Sequence, residues 1–196
     1  MKKGRLEAFS DGVLAIIITI MVLEMKVPHG NDLSSLRFLG PTFLSYVLSF
    51  VYVGIYWNNH HHMLAVTERI DGNVLWANLH LLFWLSLFPF STGWMGENHF
   101  AVWPVAVYGF VLGMAAIAYY ILSRILISRH GKDSTLARAL GRDFKGKLSV
   151  VVYAAAIPLA FVSRWIAVAL YVLVAVMWLV PDRRLEKVVV QEKISK

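Results

Sequence analysis

Long apolar runs separated by short polar breaks dominate this chain. The first runs from Val13 to Val27 and is extended backward by a helical start near Arg5. Phe38 to Trp57, Val74 to Trp94, Val102 to Ile127, Leu148 to Val162 and Ile166 to Val180 follow. A bilayer core about 30 Å thick is crossed by roughly 20 predominantly apolar residues in a helix. The pattern therefore predicts an all-α integral membrane protein with six transmembrane helices. The last two runs are short and separated only by Ser163, Arg164 and Trp165, which predicts a tight helical hairpin. Residues 128–147 are polar and basic and read as a loop, with one short amphipathic helix around Leu136 to Leu140; residues 181–196 read as a tail. Together these predict one six-helix unit over 1–196. Lys2, Lys3 and Arg5 resemble the charged start of a signal peptide. Glu7 and Asp11 interrupt that start, however, and Glu24 and Lys26 stand where a small-residue cleavage site is needed. The first run is read as a retained helix.

Composition sharpens the class. Of 196 residues 58% are apolar and 16% charged, with a mean hydropathy of +0.61, against about 45–50% and about 25% in soluble domains. That excludes a disordered chain and a coiled coil, and the lack of any Cys excludes a disulfide scaffold and thiol chemistry. With six spans, sixteen of the nineteen Lys and Arg residues fall on one side of the membrane. They are Lys2, Lys3 and Arg5, Arg69, seven positions from Arg124 to Lys147, and five in the tail. Lys26, Arg37 and Arg164 fall on the other. The positive-inside rule then predicts that both termini are cytoplasmic, in a multi-pass protein of the cell membrane. The basic loop suits anionic lipid headgroups; with only Phe144 as a stacking aromatic it does not suit nucleic acid.

The first helix carries the chemistry. Asp11 abuts the apolar run with Ser10 and Gly12 beside it, and two roles fit it. One is a helix N-terminal cap or first-turn charge; the other is an interhelical polar knot. With each residue turned by about 100°, Gly12, Thr19, Ile20 and Leu23 all fall within about 60° of Ile16. Asp11 lies about 140° off that stripe and Glu24 about 80° off it. Periodicity alone makes such a stripe a lipid-facing or packing surface.

Arg5, three residues, then Phe9-Ser10-Asp11, followed by Gly12-Val13 and an Ile/Thr/Leu-rich helix, resembles the signature of the transmembrane protein 175 family. Tyr56-Trp57-Asn58-Asn59-His60-His61, Asn78-Leu79 and Pro89-Phe90-Ser91-Thr92 are similar too, so the resemblance covers essentially the whole chain. It implies a prokaryotic single-repeat potassium channel, a homotetramer whose first helices surround one central pore. The family's hydrophobic constriction falls on Ile16, with further narrow layers at Ile20 and Leu23, and its selectivity threonine falls on Thr19. Arg5, Phe9, Ser10 and Asp11 correspond to the motif that braces the pore helix. Potassium is the implied permeant ion, with other monovalent cations less favoured and no cofactor. All four pore positions lie on the stripe obtained from helical geometry.

The chemistry is consistent with that resemblance. Converging Ile side chains close a pore by excluding water, and no TVGYG-type filter is present. A ring of Thr19 hydroxyls or carbonyls replaces part of an ion's hydration shell, so a moderate potassium preference is expected. Glu24, near the outer end, either concentrates cations at the mouth or forms a rim salt bridge to Lys26. No helix with regularly spaced Arg argues for strong voltage gating.

The remaining motifs are ordinary for a membrane bundle. His60, His61 and His62 point about 100° apart on a helix and cannot share one metal ion; polar contacts at the cytoplasmic end, Asp11 included, suit them better. His80 suits an interhelical hydrogen bond. Trp57, Trp94, Trp103, Trp165 and Trp178 suit interface anchors. Pro89 and Pro158 are candidate kinks, and Gly109 and Gly113 have small-xxx-small packing spacing. There is no nucleophile elbow, HExxH or P-loop lysine, so no enzyme is expected. The rival reading is a secondary transporter or small-solute exporter, which would want a polar midplane site and broken helices in matching repeats.

Overall fold

The structure, a computed structural model, describes residues 3–65, 67, 70–130 and 144–179. The anticipated helix at Leu136 to Leu140, the tail, and Lys2, Arg69, Lys132, Arg138 and Arg142 lie outside these residues. Seven α-helices are described: α1 (Lys3–Leu23), α2 (Gly40–Ala65), α3 (Gly72–Ser86), α4 (Phe88–Glu97), α5 (Val102–His130), α6 (Phe144–Val162) and α7 (Arg164–Leu179). A short 3-10 helix, Leu33–Leu39, leads into α2. Five stretches are long and apolar enough to cross a membrane, α3 and α4 counting together as one, and Arg164–Leu179 is a shorter apolar helix.

The helices depart from the apolar runs in three informative places. First, α1 ends at Leu23, before Val27. The Glu24 amide still bonds the Ile20 carbonyl at 3.0 Å, but the charged residues beyond turn to the rim, where Lys26 Nζ meets Glu97 Oε1 at 3.0 Å. Second, α2 continues through the Asn and His residues to Ala65 instead of stopping near Trp57. Hydropathy falls there while backbone hydrogen bonding does not, and Asn59 even donates its side-chain amide to the Ile55 carbonyl at 2.8 Å. Third, the Val74 to Trp94 run is two helices meeting at Leu87. Pro89 has no N–H to donate, and its ring crowds the preceding turn. Pro158, by contrast, sits inside a helix that continues to Val162.

Ion pairs and hydrogen bonds mark the two ends of the bundle. At the near end Lys3 Nζ donates to the Ala65 carbonyl (2.6 Å), and Arg129 pairs with Asp71 (2.9 Å), whose carboxylate also caps α3 through the Val74 amide. At the far end, beside the Lys26–Glu97 pair, Arg164 reaches the His99 carbonyl (3.4 Å). Helices α6 and α7 form the expected hairpin with Ser163 alone between them.

The core is built around α5, which packs on α3, α4, α6 and α7. Its polar content is largely tyrosine. Tyr52 donates to the Tyr171 carbonyl (2.6 Å), Tyr153 to the Tyr52 hydroxyl (3.1 Å) and Tyr171 to the Val105 carbonyl (3.1 Å), all buried. Of the two spaced glycines, Gly109 needs its small size, since an added Cβ would collide with the Tyr171 hydroxyl, whereas one at Gly113 would make ordinary contact with Tyr153 Cβ at 3.5 Å. Helix α1 stands at the edge of this core, packed mainly on α2, α3 and α4.

Candidate functional site

Helix α1 divides its surface cleanly. Leu6, Ser10, Leu14, Ile17 and Met21 are buried, a spacing of three and four residues that keeps one face toward the subunit core. The opposite face carries the stripe singled out from the sequence. Gly12, Ile16, Thr19, Ile20 and Leu23 are all exposed, Ile16 at 59% and Leu23 at 74%, whereas neighbouring Ile17 is 3% exposed. No element of the described subunit covers this stripe. Thr19 turns its hydroxyl hydrogen back to the Ala15 carbonyl (2.9 Å), which leaves the oxygen lone pairs on the open side.

The buried face is held by two polar networks. In the inner one, Ser10 donates to the Leu6 carbonyl (2.9 Å) and accepts from the Asn78 side-chain amide (3.0 Å). The Asn78 carbonyl oxygen lies 2.7 Å from His60 Nε2, so His60 carries its proton on that nitrogen and donates. Ser10, Asn78 and His60 are all buried. In the outer one, Thr92 donates to the Met21 sulfur (3.8 Å) and lies 2.6 Å from the Ser49 hydroxyl, itself 2.9 Å from Tyr108. Since the Thr92 proton goes to sulfur, Ser49 donates to Thr92 and Tyr108 donates to Ser49.

The signature residues therefore separate. Ser10 enters the interhelical knot. Asp11 also ties α1 to a neighbouring helix, outside the core: it accepts from Trp57 Nε1 of α2 at 3.1 Å at an exposed position. Lying well inside α1, which begins at Lys3, Asp11 is neither a cap nor a first-turn charge. Nor does it meet His60, which Asn78 takes. Arg5 and Phe9 are exposed, and among the described residues Arg5 joins no ion pair. Lys3, not Arg5, ties the start of α1 to α2.

Other expectations are corrected or refined. His80 does not bond another helix; it accepts from Trp84 Nε1 of its own helix (3.0 Å), because the four-residue spacing puts both rings on one face. Lys26 pairs with Glu97 rather than Glu24. Glu24, with Ile20, Phe90, Trp94 and Glu97, lines an open groove of about 450 Å³ between α1 and α4. Trp57 and Trp178 spend their indole N–H on protein, on Asp11 and on Ser149 (2.9 Å). Sequence reasoning missed the Thr92–Met21 contact, and it named Asn78 only as part of a motif. A lone Asn or Thr inside an apolar run is the signal that could have found them, since such groups in a membrane seek partners.

Comparison with known proteins places this architecture. Residues 5–89 match the family described as endosomal/lysosomal potassium channel TMEM175. The chain is 56% identical over 187 residues to a potassium channel of Chryseobacterium sp., covering 95% of this chain and 97% of that one. It is 35% identical to a potassium channel of Streptomyces collinus, over 89% of this chain and 90% of that one. The crystal structure of a lysosomal potassium-selective channel TMEM175 homolog from Chamaesiphon minutus superposes with a TM-score of 0.78 at 30% identity, covering 92% of this chain and 97% of that chain. Family members are ion channels, not enzymes. With a membrane-crossing helical bundle that superposes on a solved member, and an identity above one half to another bacterial protein, this chain belongs to the TMEM175 family of potassium channels.

Proposed function

We propose that the protein is a potassium-preferring cation channel of a prokaryotic cell membrane, built from four subunits whose α1 helices surround one pore. Both termini lie in the cytoplasm, on the side that receives most of the Lys and Arg residues, with the basic loop against lipid headgroups. Ile16, Ile20 and Leu23 form successive apolar layers on the axis. They close the pore by excluding water, and opening widens the rings. Thr19, between the first two layers, presents oxygen to a partly dehydrated potassium ion in place of a TVGYG filter. Glu24 at the groove near the outer end concentrates cations, while Glu97 beside it is paired with Lys26. Ser10, Asp11, Phe9 and Arg5 brace the helix, Ser10 within its subunit and Arg5 and Phe9 toward a neighbouring copy.

The observation that carries this reading is the uncovered α1 stripe. Gly12, Ile16, Thr19, Ile20 and Leu23 run along the exposed side of a helix whose other face is clamped by two polar networks. The names of the bacterial relatives support potassium as the permeant ion. The test is single-channel recording of purified protein in planar bilayers, with potassium on one side and sodium on the other. Discrete steps reversing toward the potassium potential are expected, and Ile16→Asn should leak. Silence of Ile16→Asn in an intact tetramer would sink the pore and favour a transporter.

A further inference from the structure

The two networks that hold α1 differ in strength and attach to different helices. Ser10 and Met21 are eleven positions apart, about three turns and about 16 Å along the axis, and so share a face. The inner contact, Ser10–Asn78, is an ordinary hydrogen bond of 3.0 Å continued by a 2.7 Å bond to His60. The outer contact ends on a thioether 3.8 Å away, a weak acceptor. Asn78 belongs to α3 and Thr92 to α4, two helices that meet at Leu87. Both run alongside α1 in its own direction. Proportional counting between the two contacts sets their junction beside Ile16 and Ile17. The inner half of α1 is thus fastened to α3 and the outer half to α4, with the break level with the first apolar layer.

From this geometry we propose that α1 pivots on the Ser10–Asn78 network, and that the Thr92 hydroxyl on Met21 is the latch holding its outer half, with Ile20 and Leu23, in the shut position. Thr92 is a positioning residue: it lies on the buried side of α1 and cannot touch the ion. The latch suits its task because a hydroxyl–thioether bond is cheap to break, and because Met21 is flexible enough to remain packed when it lets go. Thr92 keeps its bond from Ser49 when the latch opens, so its oxygen is not stranded. The inner network is the reverse. Freeing Ser10 would leave the Asn78 side-chain N–H without its acceptor in the core, a cost that keeps this end fixed. The pivot rests on the pore reading above.

Met21→Leu removes only the acceptor of the latch, whereas Thr92→Val keeps the shape and removes both the donor to Met21 and the oxygen that Ser49 bonds. Met21→Leu should raise open probability about fivefold, the scale of one modest hydrogen bond, and Thr92→Val by at least as much. The double variant should gain no more than Thr92→Val alone, which has already lost the bond to Met21, and Thr92→Ser, which keeps the hydroxyl, should resemble wild type. Conductance of the open state and reversal potential should not change, which separates a latch from a general loss of structure. Amide hydrogen exchange should rise over residues 18–23 and stay constant over 6–12. Additive effects, a fall in open probability, or unchanged gating and exchange in Met21→Leu would overturn the latch. Currents absent even from Ile16→Asn would overturn the pore instead, and the exchange comparison would still decide whether Thr92 restrains α1.

Discussion

The side-chain amide of Asn78 donates to the hydroxyl of Ser10 across 3.0 Å, and neither side chain has any exposed surface. Asn78 also accepts from His60, so one residue on α3 fastens both α1 and α2. Asn78→Ala removes partners from both neighbours and should cost about 1–3 kcal/mol. Ser10→Ala, which leaves the Asn78–His60 bond intact, should cost less, near the 0.6 kcal/mol that interhelical hydrogen bonds average in membranes. Unfolding of the purified variants in detergent checks the order.

Ile16 and Ile17 are adjacent in sequence and opposite in consequence. Ile17→Ala opens a hole in the subunit core and should lose about 2–5 kcal/mol of stability. Ile16→Ala truncates a side chain that is 59% exposed in the subunit and should leave subunit unfolding nearly unchanged while raising leak current. Paired unfolding and bilayer measurements on the two variants separate the faces of α1.

Thr19→Val is close to isosteric. The lost bond to Ala15 lies within one exposed helical turn, and the Ala15 carbonyl still has its helical partner, so stability should shift by no more than about 0.5 kcal/mol. The oxygen offered to the ion disappears, and the potassium-over-sodium preference should fall. The reversal potential under bi-ionic conditions reads this directly; an unchanged value would remove Thr19 from the selectivity assignment.

Gly109→Ala should destabilise by about 1–3 kcal/mol, because the new methyl would collide with the Tyr171 hydroxyl that bonds Val105. Gly54 is the control: it is also inside a helix, but a Cβ there would meet nothing within 4 Å. Gly54→Ala should be neutral or gain up to about 1 kcal/mol from helix propensity. Thermal unfolding of both variants tests whether the α5–α7 approach sets the requirement for glycine.

Periodicity and hydropathy made the helices and the α1 stripe legible, because both follow from the turn of one helix and the thickness of one solvent. The ends of helices were less so. Asn58 to His62 lower the hydropathy without breaking a backbone bond, and α2 runs on through them. Choice of partner was the least legible. Ser10 and Asp11 are neighbours that can each accept a side-chain N–H, and about 100° of rotation decides that one meets Asn78 in the core and the other meets Trp57 at the surface. His80 found Trp84 on its own helix because a spacing of four residues puts both rings on one face. The break at Leu87 announced itself through Pro89; the pairing of Thr92 with Met21 depends on where the half-helix after the break is aimed.

The bare stripe of α1 owes nothing to the interior of its own subunit, and this separates two inheritances that most proteins carry on the same residues. A change at Ile16 or Thr19, both exposed within the subunit, is little screened by whether the monomer folds. Variation there is exposed to selection on traffic alone. If four copies meet on an axis, one altered codon rewrites a whole ring at once. A lineage could thus retune what passes, and how readily, in single steps, while the tyrosine-rich scaffold behind it stays as it was.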